Sequence, residues 1–162
     1  MKNAGLLSNI KHYSGTSAGS IICYLLTIGC TPYEILLMTH RTKMLEEIST
    51  TFPTDILKRK TIYDYDKIDK ILTNITMLKF GRIPSFQMIK DKLGVNLHIT
   101  TFDISKQKVV YLGPDTTPDM PCLTGIRMSC NIPLIFPPCK YDGSYYICRL
   151  HTSDAAHEHD SV

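Results

Sequence analysis

The run Gly15-Thr16-Ser17-Ala18-Gly19 joins two apolar stretches and limits the possible fold more than any other part of the chain. Ahead of it, Ile10-Lys11-His12-Tyr13 reads as the end of a short strand. Behind it, Ser20 to Ile28 reads as a buried helix stopped by Gly29. A G-x-S-x-G run between strand and helix is the pattern of a nucleophile elbow, a turn that lifts the serine hydroxyl away from its own backbone. Such a turn packs strand and helix closely, and Gly15 and Gly19 are expected to allow it by lacking a Cβ. The helix aims its free N–H groups and positive dipole end at Ser17, so the Ala18 N–H is the natural first donor to an oxyanion. The five residues alone occur by chance roughly one time in twenty in a chain this long. The order strand, turn, helix gives the pattern its weight against a plain Gly/Ser turn capping a core helix.

Punctuation residues mark the remaining elements. Thr31-Pro32-Tyr33-Glu34 is a capping box with proline in the first turn. Ile35, Met38, Leu45 and Ile48 give that second helix one apolar stripe. Ser49–Thr61 reads as a polar loop, Asp64–Lys79 as an amphipathic helix, and Ser85 caps a short helix ended by Gly94. Asn96–Ile104 alternates as a strand and pairs with Gln107–Leu112 in a hairpin. Met120–Cys130 is expected to be helical. Leu134–Phe136 and Ser144–Ile147 are expected to be short strands, with Asp142-Gly143 turning between them. Residues 1–149 then form one domain, and the polar end from Leu150 to Val162 is expected to be a disordered tail.

With 162 residues, 43% of them hydrophobic and 20% charged, the chain can build one core. A net charge of +3 is too mild for a nucleic-acid binder, and Lys58-Arg59-Lys60 reads as a solvated loop. The six cysteines form no C-x-x-C pair and read as reduced, mostly buried thiols of an intracellular protein, without a zinc site or disulfide frame. Met1–Ile10 lacks the apolar core of a signal peptide, and Ala18–Cys30 is too short to span a bilayer. The expected location is therefore cytoplasmic or peripheral at a membrane.

Four runs resemble the patatin-like phospholipases: Tyr13 to Ile21, Gly29 to Ile35, Thr117-Pro118-Asp119-Met120-Pro121 leading into Ile126 to Pro133, and Ile135 to Pro138 followed by Tyr145-Tyr146-Ile147. They keep the family's order and rough spacing from about Leu6 to Ile147. The resemblance implies a three-layer α/β/α sandwich, a serine–aspartate dyad without histidine, no cofactor or metal, and a glycerolipid or phospholipid substrate at a membrane surface. Ser17 matches the nucleophile. Two departures accompany the match. The family's Gly-rich loop and first strand have no counterpart ahead of Met1-Lys2-Asn3-Ala4, so the domain is expected to be partial. Where the family has Asp-Gly-Gly or Asp-Gly-Ala after the Tyr-Ile pair, this chain has Cys148-Arg149-Leu150.

Three readings of function follow. One is a lipid acyl hydrolase built on Ser17 and impaired at the base, with Asp142 as the substitute base if it is not simply a turn residue. The second is a non-catalytic fragment that acts through protein or membrane-surface contact. The third is a Ser17, Asp142 and His151 or His157 triad, whose chain order fits an α/β-hydrolase. Arg127 is either a substrate-phosphate ligand or a structural side chain at a helix end.

Overall fold

The computed structural model describes residues 9–42, 65–133, 135–137 and 139–151. In chain order they form β1 (His12–Thr16), α1 (Ala18–Thr27), α2 (Pro32–Thr42), α3 (Asp66–Phe80), α4 (Phe86–Leu93), β2 (Asn96–Asp103), β3 (Lys108–Leu112), α5 (Cys122–Ser129), β4 (Cys139–Tyr141) and β5 (Ser144–Ile147), then a 3-10 turn at Arg149–His151.

Strand β2 organises the sheet. It pairs in parallel with β1, His12 opposite Asn96 and Thr16 opposite Thr100. It pairs antiparallel with β3 from Ile99–Leu112 to Asp103–Lys108, and with β5 at Phe102–Ile147 and Asp103–Tyr146. Strand β4 lies outside β5. Because β3 follows one side of β2 without a break from Ile99 to Asp103, β1 and β5 must share the other side, end to end. Only Thr101 lies between their two pairings. Ser17 follows β1 and Cys148 follows β5, so the register brings both to the level of Thr101.

The helices cover the face that carries Leu97, Ile99 and Thr101. Alternation puts these residues on one side of β2 with Gly15 and Leu112, their neighbours across the ladder. Tyr24 from α1, Phe86 and Ile89 from α4, and Ile126 and Met128 from α5 are fully buried there. Helix α3 joins through a 2.9 Å hydrogen bond between the Tyr24 and Thr76 hydroxyls. This is the α/β class expected from the sequence.

Several expected details are realised in the structure. Helix α2 begins with the capping box: the Thr31 N–H donates to Glu34 Oε2 (2.6 Å), and the Glu34 N–H donates to Thr31 Oγ1 (3.2 Å). Ser85 Oγ accepts from the Met88 N–H at the start of α4. One expectation fails. Ile135 and Phe136 are not in a strand; both their N–H groups reach the Ile132 carbonyl, at 3.3 and 3.1 Å, so they form a turn. Prolines at 133, 137 and 138 explain this, since proline has no N–H to give a ladder. Leu45, Ile48, the loop Ser49–Thr61 and the Lys58-Arg59-Lys60 cluster lie outside the described residues, as does the tail beyond His151. All six cysteines are free thiols, and burial pushes those of Cys23, Cys30 and Cys139 up.

The two elbow glycines are not alike, which corrects the expectation that both relieve a close contact. A Cβ on Gly15 would sit 2.6 Å from the Gly19 carbonyl carbon and oxygen and 2.7 Å from the Ser20 nitrogen, all rigid backbone. A Cβ on Gly19 would meet nothing within 4 Å among the described residues. Gly15→Ala is therefore expected to destabilise the fold by about 3 kcal/mol or more. Gly19→Ala, inside a helix, should be neutral or stabilising by up to about 1 kcal/mol. Urea unfolding of the two variants checks the contrast; equal losses would contradict it.

Glu34 also carries an ion pair from α2 to α3, with Lys79 Nζ 2.8 Å from its Oε1. The hydrogen bond from Lys79, followed by those from Thr31, holds its carboxyl at about 2, below the ordinary 4.5. A lowered folded value gives stability that is complete above about pH 4.5 and is lost as pH falls through about 2. The melting-temperature gap between the wild-type chain and Glu34→Gln should be steady above about pH 5 and should shrink towards pH 2. A gap independent of pH across that range would contradict this assignment.

Candidate active site

Ser17 has φ 54° and ψ −131°, a conformation that side chains other than glycine rarely adopt. Holding such a residue costs on the order of 1–3 kcal/mol, so its surroundings must enforce it. The Ser17 N–H donates to Ser129 Oγ (2.8 Å), whose own hydroxyl donates to the Thr100 carbonyl (2.7 Å). The Ser17 carbonyl accepts from the Ser20 N–H (2.8 Å) and the Ser20 hydroxyl (2.6 Å). Both backbone polar groups of Ser17 are thus committed. Its side chain makes no capping hydrogen bond to α1 and is partly exposed, so the hydroxyl is not used up by the helix it precedes. Ala18 is exposed and opens the first turn of α1, where N–H groups have no helical acceptor and the dipole is positive.

At the same level of the sheet as Ser17 stands Cys148, fully buried. Its N–H donates to the Asn131 carbonyl (2.8 Å), and the Asn131 amide donates to the Tyr146 carbonyl (2.7 Å), which fixes the end of β5. The Thr101 hydroxyl lies 3.0 Å from the Ile147 carbonyl and 3.2 Å from that of Met128. The groups packed behind the elbow are thiols and hydroxyls. Cys130 Sγ is 3.7 Å from Ser20 Oγ, and burial, reinforced by the nearby Cys148, pushes its thiol up to about 12.

No carboxylate among the sequence candidates joins this group. Asp142 is exposed in the β4–β5 turn with φ 45°. Ser144 to Cys148 spans four strand steps of about 3.3 Å, so the turn lies roughly 13 Å or more from the level of Ser17. The turn reading of Asp142-Gly143 is the one the structure has. The Ser17–Asp142–His151 triad fails for the same reason, and His157 is outside the described residues. Asp103 is buried, but it closes the β2–β3 turn: its Oδ1 accepts the Lys106 N–H (3.1 Å), and Lys106 Nζ is 3.7 Å from Oδ2. Arg127 is structural. It donates to Asn131 Oδ1 and the Pro137 carbonyl, both at 3.0 Å, and its guanidinium sits 4.1 Å from the centre of the Tyr65 ring. Among the described residues, no group of three His, Cys, Asp or Glu side chains could hold a metal ion.

Sequence reasoning gave no role to Ser129, Asn131 and Thr101, which hold the site together. Their signal was present, as a buried hydroxyl within β2 and a hydroxyl and an amide at the end of α5.

Comparison with known proteins agrees with this geometry. A family model described as patatin-like phospholipase matches residues 3–148. A "Probable lipid hydrolase 463L" from Invertebrate iridescent virus 6 is 33% identical over 144 residues, covering 87% of this chain and 50% of that protein. "Uncharacterized protein YqhO" from Bacillus subtilis (strain 168) is 28% identical over 145 residues, covering 80% and 48%. The chain spans about half the length of these curated relatives. Among solved structures, VipD from Legionella pneumophila matches 88% of this chain and 40% of its own at a TM-score of 0.52 and 16% identity, a likeness of fold. No helix among the described residues is long and apolar enough to cross a membrane. The mixed sheet, the helices packed on it and the match over residues 3–148 place this chain in the patatin-like phospholipase family.

Proposed function

We propose that this domain is a lipid acyl hydrolase in which Ser17 is the nucleophile and the base is impaired. The observation that carries the reading is Ser17 itself: a non-glycine residue at φ 54°, pinned through both backbone groups, with its hydroxyl left out of helix capping. Ser17 Oγ attacks the ester carbonyl carbon. The oxyanion that forms meets the Ala18 N–H and the positive end of α1. Collapse expels the alcohol and leaves an acyl-serine, and water hydrolyses that ester in a second step. The substrate class is a glycerolipid or phospholipid presented at a membrane surface.

The proton on Ser17 Oγ needs an acceptor. Ser17 after β1 and Cys148 after β5 both fall at the level of Thr101, which supports reading residue 148 as the base position, and a thiol there is not the carboxylate that this chemistry uses. Without a positioned base the expected loss is roughly 10²–10⁴ in rate. The second reading, a non-catalytic domain acting through protein or membrane-surface contact, draws on the same observation, since no carboxylate among the described sequence candidates reaches Ser17.

A fluorophosphonate ester should label the folded chain slowly, with the adduct on Ser17 by mass spectrometry. Labelling should vanish on denaturation and in Ser17→Ala. Cys148→Asp should raise the labelling rate by about tenfold or more. Failure of a chain shown to be folded to label in either form would favour the non-catalytic reading. Ser17 also stores strain, so Ser17→Gly should be more stable than Ser17→Ala by about 1 kcal/mol, measured by urea unfolding. Equal stabilities would mean that the positive φ is not enforced in solution.

A further inference from the structure

The carbonyl that precedes α1 is held differently from those that precede the next three helices. In α2, α3 and α4 this carbonyl accepts from the N–H four residues on: Thr31 from Ile35 (3.0 Å), Tyr65 from Asp69 (2.9 Å) and Ser85 from Ile89 (3.1 Å). At the elbow the Ser17 carbonyl accepts from Ser20, three residues on, and does so twice. The Ser20 N–H is at 2.8 Å and the Ser20 hydroxyl at 2.6 Å. A bond to the third residue tightens the first turn.

The hydroxyl is more than the backbone needs. The Ser20 N–H already meets the carbonyl, and alanine is a better helix former than serine. Ser20 is fully buried, where a hydroxyl is costly to keep unless it is hydrogen-bonded. What the second bond adds is direction, because two donors fill both lone pairs of the carbonyl. A trans peptide unit is planar, and its C=O and N–H point opposite ways. The Ser17 C=O and the Ala18 N–H belong to one such unit, set by the Ser17 ψ of −131°. Holding the carbonyl towards Ser20 therefore turns the Ala18 N–H to the other side.

We infer that Ser20 is a positioning residue for acyl transfer: its buried hydroxyl holds the Ser17 carbonyl and so aims the Ala18 N–H at the oxyanion. It touches no reacting atom. The inference rests on the reading of Ser17 as nucleophile and Ala18 as oxyanion donor, and it adds what fixes that donor before substrate arrives. A donor aimed in advance needs no reorganisation at the moment of reaction.

The test variant is Ser20→Ala, which removes only the hydroxyl and suits a helix. Two measurements on the full chain are combined. The first is the residual dipolar coupling of the Ala18 amide in an aligned sample, with the β2 amides as reference frame. It should change in Ser20→Ala and return in Ser20→Thr, which keeps the donor. The second is fluorophosphonate labelling of Ser17 over a range of reagent concentrations. Ser20→Ala should lower the maximal rate by about fivefold to tenfold, the effect of one hydrogen bond. The half-saturating concentration should stay unchanged, and Ser20→Thr should recover most of the rate. If Ser20→Ala does not fold, Ser20→Cys, with its weak donor, takes its place with smaller changes in both readouts. An unchanged Ala18 coupling overturns the inference. So does a changed coupling with an unchanged maximal rate, or a loss carried wholly by the half-saturating concentration. A folded wild-type chain that takes no label overturns the reading of Ser17, and the Ala18 coupling then still decides whether Ser20 sets the direction of that amide.

Discussion

One hydroxyl ties the site to the sheet. Ser129 Oγ accepts from the Ser17 N–H and donates to the Thr100 carbonyl, so a single buried atom joins the elbow, the central strand and the end of α5. A buried N–H without a partner costs roughly 1–3 kcal/mol, and so does an unmet carbonyl. The elbow cannot relax to an ordinary backbone conformation without breaking this bridge. The positive φ of Ser17 is therefore a consequence of where α5 docks, and α5 docks through Gly125, where a Cβ would lie 2.9 Å from the Phe86 ring. The strain at one residue is held by packing more than a hundred residues away in sequence.

Much of this was legible in the chain. Gly15 marks the close approach of strand and helix, and the capping residues Thr31, Ser85 and Gly94 each stand where an element starts or stops. These are local signals, decided by backbone geometry within a few residues. The long-range register was not legible. The family resemblance marks position 148, but the residues around Ile147 do not themselves say that β5 lies beside β2 in line with β1, the arrangement that sets Cys148 at the level of Ser17 and carries Asp142 away. Gly19 misled for a related reason: a motif states which positions are small, and only the docked helix shows which of them face a wall. The strand expected at Leu134–Phe136 failed because a short apolar run fits strand or turn equally, and the flanking prolines decided it.

The electrostatics behind Ser17 have one character. Cys130 and Ser20 lie 3.7 Å apart behind the elbow, the Thr101 hydroxyl is bonded to the carbonyls of Met128 and Ile147, and Arg127 is committed to Asn131, Pro137 and the Tyr65 ring. Cys148 is fully buried, so a carboxylate placed there would lose solvation, which favours its protonated form. That direction suits a general base, because the best base titrates near the working pH and not far below it. Position 148 is buried at the end of β5, and the chain supplies a thiol there. The scaffold of the reaction and the residue that would run it are therefore separable in this protein, and the elbow persists because α5 and β2 enforce it, whether or not a base stands opposite.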